Sequence, residues 1–232
     1  VIRTLIGDGW GAQHSQGLHS LFANIPGLKI VMPSTPYEAK GFLIQAIRDN
    51  NPVIFIEHFK LYAEKGHVPK KPYVIPFGKA VVRKKGNDIT LVGLSWMNVE
   101  CQNAARHLEK TGVSAEIIDP LSLNPLDINT IIKSVEKTGK LIVVDAAWTS
   151  CGFSAEIVAR VAEHFRTRKK ILAERIGFAP VPSPNSPALE KYFYPDAQSI
   201  ARQALKMVQG KGAKISFTGS KKESKSGMAE KV

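Results

Sequence analysis

The feature that most constrains this sequence is a regular alternation between short runs of apolar, β-branched residues and stretches with helical spacing. A continuous apolar run such as residues 53–56 is typical of a strand covered on both faces of a parallel sheet. Along 36–48 the apolar residues recur three and four positions apart, and Pro36 suits the first turn of a helix. The alternation predicts an α/β fold with a mainly parallel sheet and right-handed crossovers.

The same pattern places the individual elements and divides the chain. Strands are predicted at 1–5, 29–32, 53–56, 80–83, 89–94, 115–118, 141–144 and 171–176. Helices are predicted at 15–24, 36–48, 98–110, 126–137, 152–166 and 197–208, with Gly112 and Gly139 as C-terminal stops. These elements form two α/β units, and the first has too few strands to be a complete domain.

The predicted units are residues 1–60 and 78–208. Between them, 61–77 is predicted to be an exposed linker, because prolines and lysines interrupt the pattern there. Residues 209–232 form a basic tail that is predicted to be disordered, because its apolar content is low. The chain opens on a strand-like run without an initiator methionine, so we expect its true N-terminus to lie upstream.

Composition excludes several classes of protein. No apolar run approaches the roughly 18 residues that span a bilayer, so no membrane partner is predicted. Two cysteines, Cys101 and Cys151, are too few for a disulfide scaffold and fit a reducing compartment. The net charge of +12 is spread over many elements without a recognition helix or zinc pattern, so no nucleic-acid partner is predicted.

Seven collinear segments resemble one family, the beta subunit of the thiamine-diphosphate-dependent first component of 2-oxo acid dehydrogenase complexes, of the pyruvate or branched-chain type. The resemblance covers about residues 1–208. The segments are 11–16 (GAQHSQ), 25–33 (IPGLKIVMP), 46–54 (AIRDNNPVI), 76–80 (PFGKA), 124–127 (NPLD), 154–157 (SAEI) and 186–190 (SPALE).

The resemblance implies a transketolase-like fold, in which residues 1–60 are the last part of a pyrimidine-binding domain and 78–208 a transketolase C-terminal domain. It implies oxidative decarboxylation of a 2-oxo acid and acyl transfer to a lipoyl group. The implied partners are an alpha subunit, in an alpha2-beta2 heterotetramer that shares thiamine diphosphate, and a lipoyl-bearing acyltransferase core. Magnesium and the diphosphate would belong to the alpha subunit, and the compartment would be the cytoplasm, or the mitochondrial matrix in a eukaryote.

His14 is the candidate catalytic residue. It lies in a polar loop that follows a glycine, and its imidazole titrates near neutral pH, so it can donate or accept a proton. In the resembled family the histidine of this motif lies in the active-site channel and acts in acyl transfer to lipoyl. The alternative is a histidine that only bonds the backbone before a helix. The family's cofactor-activating glutamate is expected upstream, so the resemblance implies that this chain alone is inactive.

A cation site is predicted where the helix over 36–48 ends. Its last carbonyl oxygens lack intrahelical donors, and Pro52 stops the helix from continuing. The resemblance implies a potassium site formed by the backbone oxygens of Ala46, Ile47, Asp49 and Asn51. The alternative is that water satisfies these oxygens.

Other candidates carry weaker predictions. Gly7-Asp8-Gly9 is interpreted as a turn, not as a magnesium motif, because the downstream asparagine pair of that motif is not at the right spacing. His19 is expected to pack in the core or on the surface, or to flank the same channel as His14. Cys151 is expected to be structural, with Trp148 and Phe153 packing a domain or a subunit contact. Three further histidines are expected to be solvated: His58, His107 and His164. The resembled family commonly has an arginine in the segment after Asp119, where this chain has Pro120-Leu121-Ser122-Leu123.

Two alternatives remain open for function. The chain could be a non-catalytic module, since a transketolase C-terminal domain mainly builds subunit interfaces. It could instead be the C-terminal part of a transketolase-like or deoxyxylulose-phosphate-synthase-like enzyme, although the GAQHSQ and DNNP segments favour the dehydrogenase.

Overall fold

A computed structural model describes residues 1–7, 11–167, 169–210, 212–215 and 217 of the chain. The strands are β1 (Ile2–Ile6), β2 (Lys29–Val31), β3 (Val53–His58), β4 (Val81–Lys84), β5 (Ile89–Gly93), β6 (Ala115–Asp119), β7 (Ser122–Asn124), β8 (Lys140–Trp148) and β9 (Leu172–Phe178). The helices are α1 (His19–Ala23), α2 (Pro36–Arg48), α3 (Trp96–Glu109), α4 (Ile128–Thr138), α5 (Phe153–Phe165), α6 (Pro187–Phe193) and α7 (Ala197–Gln209), with a 3₁₀ helix at Phe59–Ala63.

The strands form two sheets. The first has the order β1-β3-β2-β7, with β1 and β2 parallel to β3 and with β7 antiparallel to β2. The second has the order β4-β6-β5-β8-β9 and is parallel except for β4. The predicted α/β class with mainly parallel sheets is confirmed. None of the helices in the described ranges is long and apolar enough to cross a membrane.

One hydrophobic core continues from the first sheet into the second. Ile6, Ile54 and Ile56 of the first sheet belong to the same cluster of buried side chains as Leu91 and Ile142 of the second. Such continuous burial explains why the parallel strands have apolar residues on both faces. The two units therefore share a core.

Local signals fix two helices at the predicted positions. Helix α2 begins after Thr35, whose side chain accepts a hydrogen bond from the Glu38 amide, and Pro36 occupies its first turn. Helix α4 begins after Asp127, which caps it through the Thr130 amide, and it ends at Gly139, which is left-handed with φ 68°.

Several predicted elements differ from the structure. The helix predicted over 15–24 is only α1, because residues 11–18 form a loop that packs on the second unit. The sequence pattern does not predict the short helix α6, nor strand β7, whose pairing partner β2 lies far away in sequence. Within the predicted tail, the described residues Ala213, Ile215 and Phe217 pack against the core. Residues 218–232 lie outside the described residues.

The segment 61–77 is largely exposed but is anchored to α2. The Lys40 ammonium donates to the backbone carbonyls of Pro69, Lys70 and Lys71. Phe77 also packs against Phe42 of α2, with ring centroids 5.5 Å apart. The segment therefore follows a fixed path along the first unit.

Candidate active site

The carboxyl ends of β1 and β3 form one edge of the first sheet. In the parallel register Ile6 pairs with His58, and the chain leaves the sheet at Gly7 and Phe59. Gly7 has φ 148°, and a Cβ atom there would lie 2.9 Å from the Phe59 Cβ. Only glycine fits this close approach. Crevices at the carboxyl ends of parallel strands are common ligand sites in α/β proteins.

His14 lies at this edge. It is exposed and, with Leu5, Gly7 and Phe59, lines a cavity of about 260 Å³. Its backbone amide donates to the Gly11 carbonyl at 3.2 Å, which closes a turn in the loop. The cavity has apolar walls, and the His14 imidazole at its rim is placed to transfer a proton to a bound group. Asp8 and Gly9 of the predicted turn lie outside the described residues.

Residues 11–18, hereafter the His14 loop, are held in place at several points. The Ala12 amide donates to Asn185 Oδ1 at 2.8 Å, and Ser15 Oγ donates to the Gly11 carbonyl at 2.9 Å. Gly17 is buried directly against β8, where any side chain would overlap the Ala146 carbonyl oxygen. The second unit therefore supports the loop that carries His14.

His19 follows this loop and is buried in the core, one of the positions expected from the sequence. Its Nε2 atom lies 3.0 Å from Asp145 Oδ2 on β8. The side chains of His19 and Asp145 are 0% and 1% exposed, so the pair is closed to solvent. It joins α1 of the first unit to the second sheet.

The predicted cation site lies at the C-terminus of α2. The Asp49 amide donates to the Ala46 carbonyl at 3.4 Å, while Asp49 Oδ1 accepts from the Asn51 amide at 2.9 Å. Lys29 Nζ lies 2.6 Å from Asp49 Oδ2. The hydrogen bond from Lys29, followed by that from the Asn51 backbone, lowers the pKa of Asp49 to about 2. The carboxylate thus helps to hold the turn that follows α2.

Among the described residues, no group of three or more His, Cys, Asp or Glu side chains could hold a metal ion. Carbonyl oxygens are the chemically suitable donors at the α2 terminus, because potassium is bound in proteins by rings of such oxygens. Ala46 is buried and Ile47 is exposed, so the turn lies at the surface where an ion can enter.

The structure corrects the prediction that three histidines are solvated. His58 is buried, stacks on Trp96 with ring centroids 6.0 Å apart, and accepts the Lys60 amide at Nδ1. His107 packs edge-on against Phe217, and His164 packs against the adjacent phenyl ring; both are half-buried because these rings cover them.

Two cysteines and two aromatic residues complete the candidates. Cys151 is a free, exposed thiol at φ 52°, and Cys101 is free and buried. Phe153 is buried, and Trp148 packs edge-on against Phe178 with ring centroids 5.7 Å apart. These aromatic residues pack the second unit, as expected.

A buried ionic cluster between the units was missed by the sequence patterns. Arg83 on β4 bonds Asp119 at 2.8 Å and lies 3.0 Å from Glu38 of α2, and Ser34 donates to Asp119. Burial raises the pKa of Asp119 to about 6, and the attraction of Arg83 only partly opposes this. Leu121, in the segment where the resemblance predicts an arginine, is buried at φ 58°. The cluster has no local signal, because Arg83 and Asp119 lie far in sequence from each other and from the segment that contains Ser34 and Glu38.

Comparison with family models assigns both units. Residues 2–65 match the transketolase pyrimidine binding domain, and residues 78–200, more than half of the chain, match the transketolase C-terminal domain. The chain belongs to the transketolase C-terminal domain family. A solved structure titled "Split gene transketolase, inactive beta4 tetramer" has the same fold, with a TM-score of 0.72 and 23% identity, over 89% of this chain and 65% of that one.

Curated relatives confirm the resemblance to dehydrogenase beta subunits. The beta subunit of acetoin:2,6-dichlorophenolindophenol oxidoreductase from Cupriavidus necator is 47% identical over 212 residues, which are 90% of this chain and 63% of the relative. The pyruvate dehydrogenase E1 beta subunit of Bacillus subtilis is 42% identical over 84% of this chain and 60% of the relative. The 2-oxoisovalerate dehydrogenase beta subunit of the same organism is 41% identical over 88% and 64%. The chain spans a little over three fifths of these relatives' lengths.

Proposed function

We propose that this chain is part of the beta subunit of a thiamine-diphosphate-dependent 2-oxo acid dehydrogenase. The proposal is supported by relatives that are 41–47% identical and are named as beta subunits of pyruvate dehydrogenase, 2-oxoisovalerate dehydrogenase and an acetoin oxidoreductase. It is also supported by the position of His14 in a cavity at the strand ends. Its partners would be an alpha subunit, in an alpha2-beta2 heterotetramer, and a lipoyl-bearing acyltransferase core. Its compartment would be the cytoplasm, or the matrix of a mitochondrion.

The cavity beside His14 fits only one end of the coenzyme. The walls formed by Leu5 and Phe59 suit an aromatic ring, and among the described residues no lysine or arginine lines the cavity to hold a diphosphate. We therefore assign the diphosphate and its magnesium to the alpha subunit. Thiamine diphosphate, when bound, supplies the electron sink for decarboxylation.

His14 would act on the acyl acceptor. When an acyl group is transferred to a lipoyl disulfide, the sulfur–sulfur bond breaks, one sulfur receives the acyl group and the other becomes a thiolate. An imidazolium at His14 can give its proton to that thiolate, which acts as the base.

The test uses the full-length chain assembled with its alpha subunit. His14→Ala should slow acylation of a lipoyl domain by about 100-fold or more, while decarboxylation with an artificial dye as acceptor changes much less. His67→Ala, which removes an exposed histidine of the 61–77 segment, is the matched control. Equal lipoyl acylation by the His14 variant and the control would remove His14 from the mechanism, and absence of decarboxylation in the wild type would favour the non-catalytic module.

A second candidate substrate is acetoin, because the relative at 47% identity is named for it. Dye reduction with acetoin, pyruvate and 2-oxoisovalerate should be compared in the assembled enzyme. If kcat/KM is highest for acetoin, then acetoin replaces the 2-oxo acid as the proposed substrate. The proposed role of the beta subunit would be unchanged.

We also propose that the backbone oxygens of Ala46, Ile47, Asp49 and Asn51 bind potassium. Replacing sodium by potassium at equal ionic strength should raise the Tm of the assembled protein, and the increment should saturate with concentration. Asp49→Ala, which frees the turn, should abolish the increment. Asp88→Ala removes a comparable carboxylate–amide bond, to Ser114, and should preserve it. An identical Tm in both salts would contradict the site.

The surface of the first unit supports a subunit contact. Strand β1 is at the edge of its sheet, and Ile2 and Leu5 on it are 58% and 41% exposed. Exposed apolar side chains along an edge strand are typical of a surface that another segment or chain covers. Light scattering of the chain with and without its alpha subunit should show the heterotetramer only for the mixture.

A further inference from the structure

The His14 loop belongs to the first unit but lies on the second. Its backbone at Gly17 touches the β8 carbonyl of Ala146 so closely that a side chain has no room. Its first amide, at Ala12, is bonded to Asn185 of the second unit. The loop that carries His14 is therefore held by the second unit on both sides of that residue.

Just beyond the His14 loop, the His19–Asp145 pair forms a polar contact with the second unit. It lies two residues beyond Gly17 and joins α1 to β8 at 3.0 Å. Each partner keeps one buried atom without a hydrogen bond from the described residues: Nδ1 of His19 and Oδ1 of Asp145. Desolvating two polar groups and satisfying only half of their bonding capacity is costly.

Such a pair is a poor device for stability alone. Apolar side chains of similar volume would fill the same space without leaving unpaired atoms, and replacements of this kind are often neutral or stabilising. A directional hydrogen bond, however, fixes the register of α1 on β8 in a way that apolar packing does not. The contribution of the pair is then to orient α1 on β8.

We propose that His19 and Asp145 are positioning residues, which hold the His14 loop in register on β8 and so place His14 at its cavity. The inference rests on the proposed function of His14. It gives the second unit a role in the chemistry of the first, because β8 supports the loop that carries the proton-transferring side chain. Misplacing a catalytic group by about 1 Å can cost on the order of 100-fold in rate.

The first experiment does not depend on activity. Amide hydrogen exchange of residues 11–18 is measured by mass spectrometry on the full-length chain in its assembled state. Asp145→Leu and the double variant His19→Leu/Asp145→Leu should each speed exchange of the His14 amide by about 10-fold or more, because the loop opens locally. The double variant should regain most of the Tm lost by the single one, since it leaves no unpaired polar group.

Thr90→Val is the matched control. It removes buried hydrogen bonds from Thr90 to Ser134 and Thr138 in the second unit, away from the loop. It should lower the Tm but leave exchange of residues 11–18 unchanged. If the double variant exchanges in this segment at the rate of the control, the pair has no positioning role.

The second experiment measures acylation of the lipoyl domain. The double variant should lower kcat by about 10-fold or more with little change in KM. His19→Gln, which can place an amide donor near the position of Nε2, should restore most of kcat. If the double variant has the same kcat as the control, the inference is overturned. If the wild type and every variant are inactive, the proposed function is refuted, and the hydrogen-exchange result alone decides the positioning role.

Discussion

Arg83 is the cation on which the buried ionic cluster between the units depends. Arg83→Met keeps the length and the apolar stem of the side chain but removes the guanidinium that lies 2.8 Å from Asp119 and 3.0 Å from Glu38. The Asp119 side chain is fully buried, so no water can replace the lost donor. The variant is therefore expected to fold with a large loss of stability.

The size of the loss follows from the burial. Removing one partner of a buried ion pair costs about 3–5 kcal/mol, out of the roughly 5–15 kcal/mol that stabilises a typical domain. The loss should depend on pH. The pKa of Asp119 is raised from 3.8 to about 6, so the stability that the protonated carboxyl gives below pH 3.8 is lost as the pH rises through 6. At pH 5 most of this carboxyl is protonated and needs the cation less than at pH 8.

Urea unfolding at pH 5 and pH 8 measures both effects. Lys84→Met on the same strand removes an exposed ion pair with Glu109 and should cost under about 1 kcal/mol at either pH. Arg83→Met should lose several times more than this control at pH 8 and less at pH 5. A loss like that of the control, or one that is equal at the two pH values, would refute the reasoning.

Two further predictions concern single groups. Lys29→Met should raise the pKa of Asp49 from about 2 toward its ordinary value, which NMR titration can follow. The lowered pKa gives the native protein stability above pH 3.8, and this stability is lost as the pH falls toward 2. The variant lacks it, so circular dichroism should show acid unfolding at a higher pH than in the native protein. Cys151 is exposed, whereas Cys101 is buried, and burial raises the pKa of the Cys101 thiol. A thiol reagent should therefore label Cys151 in the native protein and Cys101 only on unfolding. Equal labelling of the two cysteines, measured by mass spectrometry, would contradict the burial.

The sequence predicted those elements whose signals are local. Helix α2 has the predicted bounds because its cap, Thr35, and its first-turn proline stand next to the apolar periodicity. Strand β7 has only three residues and pairs antiparallel with β2, which lies about ninety residues earlier, so no local pattern marks it. Its Ser122 hydroxyl accepts the Gly78 amide and donates to the Pro125 carbonyl, and these contacts exist only once the chain has folded.

The candidate site divides in the same way. The loop glycine and the titratable side chain mark His14, and the resemblance to a family names its role. The groups that hold the loop, Asn185 and Asp145, lie 173 and 126 residues from their partners Ala12 and His19. Hydrogen bonds over such separations follow from tertiary packing, and one sequence contains no pattern that predicts them.

Three independent connections make the two units one structure. Strand β7 leaves the second unit to complete the first sheet, Arg83 bridges to α2 from β4, and the His14 loop rests on β8. Each would leave unpaired backbone groups, a buried charge or an unsupported loop if the units moved apart, so separation is opposed by three different physical penalties. A cavity at the end of β1 and β3 can therefore keep its shape although the first unit alone has a small sheet, because the second unit supplies the missing support.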